Sequence, residues 1–315
     1  MRKSLILVTS ILILSLASPC FAFWIWTPKE KKWTNPKWSA KQTPETQFKF
    51  AKEILDSGDY KVAYVEFKKV LNHFPESYEA AESQFYMGEC LEELGKLYNA
   101  YLAYQKVVDK YPFSDKMNEV LKRELKIADS IAEEEMKILG LAIPQYYHAI
   151  TIYRKIIENY PYGEFAPLSQ YKIGLVLKSA ESFDESKAEF EKVIANYPDS
   201  EWAEAAKFQV AQTASIASLG SDYDQALTQE AKGRYKEFVQ KHPEADLSED
   251  AQEEIRELTE RGAQKDYNVG QFYEKQEAYA SAAIYYEDVI KEYPRSVWAQ
   301  KSRERIRTME SERKL

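Results

Sequence analysis

Few side chains in this sequence stand at spacings that support chemistry. The three histidines, His73, His148 and His242, are scattered, and no His-Glu-x-x-His, Cys/His cluster or Gly-x-Ser-x-Gly occurs. His242 directly precedes a proline where tyrosine stands at four equivalent places, and His73 lies one residue further back, so both read as structural. The glycines form no loop that could cradle a phosphate. Acidic runs such as Glu133-Glu134-Glu135 and Glu253-Glu254 suit solvated helix faces better than acid–base pairs. Neither an enzyme nor a cofactor or metal site is expected.

What remains is aromatic: 23 tyrosines, 14 phenylalanines and six tryptophans. Stepping along AESQFYMGECLEELGKLYNAYLAYQKVVDKYP (81–112), Gln84, Met87, Gly88, Leu91, Ala100, Tyr104, Val107 and Pro112 follow the tetratricopeptide (TPR) spacing, with Gln in place of the first aromatic. Apolar residues at i, i+3 and i+7 face a partner helix, and Gly88 is expected to admit the second helix where Ala100 crosses it. Pro112 ends that helix. Prolines at 75, 112, 161, 198, 243 and 294 close six such units, with matched apolar sets before Pro75, Pro198 and Pro294. The third and fifth units match in their second helices, through Ala149, Tyr153, Ile156 and Ala231, Tyr235, Phe238.

A single hairpin cannot bury its own apolar face, so the units must stack. The expected fold is all-α, a TPR-type helical-hairpin solenoid (α-α superhelix), with little room for a sheet. One residue after the first signature position stand Phe48, Phe85, Leu125, Tyr171, Phe208 and Tyr267. Two readings of these rings are open. They pack between neighbouring first helices, or they form a ladder of candidate groove aromatics (Phe48, Phe85, Tyr171, Phe208, Tyr267) for an apolar peptide.

The chain carries a net charge of −8, which disfavours a nucleic-acid surface. Residues 1–22 read as a signal peptide, with Arg2 and Lys3 ahead of an apolar run from Leu5 to Ala17. Two processing sites compete. Cys20 and Ala22 at −3 and −1 favour cleavage before Phe23, while Leu16 to Cys20 resembles a degraded lipobox with Cys20 as the lipidated residue. Cys90, beside core Leu91, is expected to be an inert buried thiol.

Residues 23–43 form an arm holding Trp24, Trp26, Trp33 and Trp38, with prolines that forbid one helix. It either caps the first repeat or docks on protein, or it is an aromatic and basic foot at a membrane surface. The solenoid of five to six repeats is placed at 44–310, with insertions near 133–148, 215–224 and 248–262. Gly140 and Pro144 put a loop in the first of these, and the third is expected to lengthen a helix.

The Trp-rich leader FWIWTP…KWTNPKW, the repeats QFYMGECLEELG…AYLAYQKVVDKYPFS and the segment GLAIPQYYHAITIYRKIIENYPYGEFAPLSQYKIG together resemble the BamD (YfiO) outer-membrane assembly factors. The resemblance covers nearly the whole chain after residue 22. It implies a non-enzymatic scaffold at the periplasmic face of the outer membrane of a Gram-negative cell. Such a scaffold holds the POTRA region of the barrel-inserting BamA protein and helps recruit unfolded barrel precursors. Family members are usually lipoproteins, which bears on Cys20. The alternative of the same fold is the periplasmic coordinator of the Tol–Pal cell-division system (YbgF/CpoB-like), which normally begins with a coiled coil. No sustained heptads precede residue 44 here. A third possibility, the TPR domain of a peptidoglycan hydrolase, is disfavoured by the lack of a catalytic constellation.

Overall fold

The computed structural model describes residues 24–27, 32–35, 39–138, 146–219 and 225–312. Cys20, Trp38, the two processing sites and the loop at Gly140 and Pro144 lie outside the described residues. The chain divides into two compact units, residues 1–123 and 124–315.

In the first unit, strands β1 (Ile25–Thr27) and β2 (Lys32–Thr34) pair antiparallel, with Trp26 opposite Trp33. They are the only strands among the described residues, a small departure from the expectation of helices alone. Four helices follow: α1 (Pro44–Asp56), α2 (Tyr60–His73), α3 (Tyr78–Glu93) and α4 (Leu97–Lys110), and then α5 (Met117–Ile138) begins. In the second unit α5 continues. It is followed by α6 (Tyr146–Asn159), α7 (Phe165–Ser179), α8 (Phe183–Asn196), α9 (Glu201–Leu219), α10 (Gln225–Lys241), α11 (Leu247–Lys275), α12 (Tyr279–Glu292) and α13 (Val297–Ser311). Helices α1 to α4 in the first unit and α6 to α13 in the second pack in succession as hairpins, and first helices also touch the next first helix, as α1 does α3 and α9 does α11. This is the all-α TPR architecture. Residues 248–262 lie inside α11, which runs for 29 residues.

Local signals explain the helix ends. Thr43 caps α1 in a reciprocal capping box with Thr46, and Pro44 takes the first turn, where its missing N–H costs nothing. Asp59 caps α2 through the Val62 N–H at 3.2 Å. All six prolines sit in one kind of turn. In each, the N–H two residues after the proline donates to the carbonyl of the residue before it, from Ser77, Ser114, Gly163, Ser200, Ala245 and Ser296. His242 therefore occupies the tyrosine's place in a shared turn.

Seventeen residues before the closing proline, four hairpins turn through left-handed backbone. Gly58 and Gly95 provide it in the first unit, Glu181 and Glu277 in the second. The next N–H then reaches back to close the first helix, as Lys96 does to Leu91 and Ala278 does to Tyr273.

The core is built from the signature positions. Ala51, Ala63, Phe67, Ala100, Tyr104, Val107, Phe190, Val193, Ala282, Tyr286 and Val289 are fully buried. Gly88 admits the second helix closely, as expected. The ring of Tyr104 lies over it, so close that a Cβ at 88 would overlap the ring. Gly174 seats Phe190 and Gly270 seats Tyr286 in the same way, where an added Cβ would stand 2.6 and 2.7 Å from ring carbon. In these three first helices the glycine is a socket for the large ring of the second.

Candidate protein-interaction site

The candidate groove rings are built into the hairpins. Phe85, Tyr171, Phe208 and Tyr267 are buried, Phe85 to 1% exposure, and Phe48 is half-buried. Each meets the ring of its own second helix: Phe48 with Phe67 at 5.8 Å, Phe85 with Tyr104 at 5.4 Å, Tyr171 with Phe190 at 5.4 Å, Phe208 with Tyr235 at 5.5 Å, and Tyr267 with Tyr286 at 5.3 Å. Several also bridge to the following helix, as Tyr171 does to Trp202 and Tyr267 to Trp298. Leu125 is buried as well. Of the five candidate rings, Phe48 is the one that keeps part of its surface open.

The residue just before each ring escaped the sequence reading except at Gln84. The six are Gln47, Gln84, Glu124, Gln170, Lys207 and Asp266, all polar where a TPR places a large apolar residue. Burial requires partners. Gln47 donates to the Glu66 carbonyl at 3.0 Å and to its carboxylate at 2.9 Å. Gln84 donates to the Ala103 carbonyl at 2.8 Å, and Gln170 to the Glu189 carboxylate. Lys207 meets His242 at 3.1 Å, which accounts for that histidine together with Glu204 at 3.3 Å. Asp266 bonds Tyr293, and desolvation holds its carboxyl above the usual range. The signal was there in the register, since each polar residue sits four before a seat position.

A second recurring arrangement links hairpins. Tyr104 donates to Glu92 at 2.7 Å, and Arg123, from the following first helix, holds the same oxygen at 2.7 Å. Tyr153 donates to Asp129 at 2.5 Å, and Lys172 pairs with that carboxylate at 3.1 Å. Tyr286 donates to Glu274 at 2.8 Å, and Arg305 completes the set. Burial, with the neighbouring carboxylate second, pushes the Tyr104 hydroxyl far above its ordinary range. At Tyr286 burial and the bond to Glu274 do the same.

Where phenylalanine replaces the tyrosine, at Phe190, the charge inverts. Lys178 stands in the carboxylate's place and donates to Gln209 at 2.5 Å and Gln212 at 2.7 Å. Among the described residues the fifth hairpin shows no such relay, and the buried Tyr235 hydroxyl has no hydrogen-bond partner there.

Exposed aromatic surface lies elsewhere. Phe113 is fully exposed and Tyr78 largely so, and they flank a cavity of about 430 Å³ with Glu76, Glu82 and Asp115 on its rim. In the arm, Trp24, Trp26 and Trp33 expose 56%, 45% and 61% of their surface. Cys90 is buried, and desolvation pushes its thiol up to about 12. Among the described residues no group of three His, Cys, Asp or Glu side chains is placed to hold a metal ion.

Comparison with known proteins adds the following. The model of the YfiO family, described as outer membrane lipoprotein, matches residues 145–314, more than half the chain. A tetratricopeptide repeat model matches residues 82–114. No curated protein matches the chain. Among solved structures, the C-terminal part of a TPR repeat-containing protein from Cytophaga hutchinsonii is 16% identical, covering 82% of this chain and 87% of that one at a TM-score of 0.40. A tetratricopeptide repeat protein from Parabacteroides merdae is 14% identical, covering 80% and 93% at 0.37. PilF of Pseudomonas aeruginosa is 14% identical, covering 83% and 97% at 0.32. At these scores the likenesses carry no argument.

Proposed function

From the premise that this chain belongs to the YfiO family of outer membrane lipoproteins, we propose that it is a non-enzymatic scaffold of the outer-membrane β-barrel assembly machinery. TPR hairpins are protein-binding elements and the family is one of the cell envelope; the particular partners are the proposed part. In this reading the C-terminal hairpins hold the POTRA region of a BamA-like barrel protein at the periplasmic face. The N-terminal hairpins receive unfolded barrel precursors. The observation that carries the reading is the extent of the family match, which takes in α6 to α13.

Barrel strands alternate apolar and polar residues. A receptor for many of them is better served by broad rings than by a fixed hydrogen-bond pattern. Phe48, with part of its surface open, is assigned that contact, while Phe85, Tyr171, Phe208 and Tyr267 shape the helix surface from beneath. The lipoprotein character of the family supports Cys20 as the anchor, against the cleavage before Phe23 that the flanking residues favour.

The test is a pull-down of the tagged protein from detergent-solubilised envelopes. Co-purification of a BamA-like barrel protein is the expected result. Recovery of a Tol–Pal component, or of cell-wall strands, in its place overturns the proposal.

A further inference from the structure

The arm presents a surface that the helices do not use. Cross-strand pairing brings Trp33 opposite Trp26 on one face, with the two rings edge to face at 5.7 Å, and Trp24 stands just before β1, two residues from Trp26. All three rings remain open to solvent. The sequence from 24 to 41 carries five lysines against one glutamate, inside a chain whose net charge is −8. Positive charge and indole are thus concentrated where the rest of the molecule is acidic.

Indole joins a broad apolar face to a single N–H donor, which suits the boundary between headgroups and acyl chains better than water or hydrocarbon. Lysines beside such rings gain from anionic headgroups. We propose that the hairpin is a membrane foot: Trp24, Trp26 and Trp33 seat in the headgroup layer of an anionic bilayer, and the lysines of the segment hold it there by charge. The foot rests on the envelope location in the reading above and not on which protein the helices hold. A protein site would draw one or two rings into a pocket. Two exposed rings paired on one face of a two-stranded hairpin, with a third exposed indole just before it and positive charge spread along the sequence, match a planar anionic surface instead.

The experiment uses the exported, processed protein with Cys20→Ser, so that no acyl chain contributes. Its co-sedimentation is measured with vesicles of phosphatidylethanolamine containing about 30% phosphatidylglycerol, and with phosphatidylcholine alone. Binding to the anionic vesicles, weakened by salt, is expected. Trp26→Ala/Trp33→Ala is expected to weaken it about tenfold or more while the helical circular dichroism stays unchanged. Lys31→Gln/Lys32→Gln is expected to weaken binding and flatten its salt dependence.

No vesicle binding by the parent, or binding undiminished in the tryptophan variant, overturns the foot. The same proteins are carried through the envelope pull-down. Partner capture lost in the tryptophan variant, with no vesicle binding by the parent, makes the arm a protein-docking element and also overturns the foot. A parent that binds vesicles but captures no barrel protein supports the foot and counts against the proposed function alone.

Discussion

Tyr104 and Tyr235 hold equivalent places and differ in one hydrogen bond. Tyr104→Phe removes the bond to Glu92 and is expected to cost about 1–1.5 kcal/mol, while Tyr235→Phe, which removes a buried hydroxyl without a partner, is expected to be neutral or stabilising. Denaturant midpoints of the two variants check this. Phe85→Ala, deep in the core, is expected to cost about 3–5 kcal/mol and Phe48→Ala clearly less. Equal losses would take from Phe48 the role proposed for it. Glu254 titrates above the ordinary carboxylate range because burial disfavours its charge, with Glu257 adding to the shift. Its charged form therefore weighs against folding above that raised pKa. Glu254→Gln is expected to raise the melting temperature at neutral pH, and the gain should shrink as pH falls towards about 4.3, where the unfolded carboxyl also protonates. A gain that persisted in acid would remove the desolvation account.

The hairpin pattern was legible in the sequence because apolar spacing and the six prolines fix where helices start, stop and face. The socket made by Gly88 was legible as a close approach, but the ring that fills it was not. Ala100 and Tyr104 lie on the same face of α4, and only the packing shows that the Tyr104 ring reaches the glycine. The candidate rings at Phe85, Tyr171, Phe208 and Tyr267 were legible as a series, and packing between helices was one of two readings between which the sequence did not choose. Their register is the same for a ring that lines a surface and one that packs beneath it. The arm's strands were hidden by brevity, three residues each being too few for a period-2 signal. At this scale the left-handed turns offer a direct test. Glu277 adopts positive φ where Gly58 and Gly95 stand in other hairpins. Glu277→Gly is expected to gain about 0.5–1 kcal/mol, since the side chain's steric penalty exceeds the added chain entropy of glycine. A lower denaturant midpoint for this variant would show that the Glu277 side chain contributes more than its strained backbone costs.

For the molecule as a whole, the N-terminal peptide of the protein recovered from envelopes decides how it is held. A diacylglyceryl mass on Cys20 is the outcome the family membership favours, and an unmodified N-terminus at Phe23 would leave the tryptophan arm as the remaining membrane contact. The relays between hairpins carry a further consequence, which concerns how such a protein can lengthen over generations. Repeat arrays grow when a stretch of gene is copied in tandem, and copying costs little if every junction is alike. Here the junctions differ in charge. Lys178 faces Gln209 across its junction, and the residue one repeat earlier, 37 positions back in the proline spacing, is Lys172. A tandem copy of residues 162–198 would bring the Lys178 ammonium of one copy against the Lys172 ammonium of the next, with no carboxylate between them. An array lengthened in this way is expected to be less stable than one in which the copied Lys172 is also changed to Gln. The order of the hairpins is in this sense hereditary, because each junction accepts its present neighbour and penalises a duplicate.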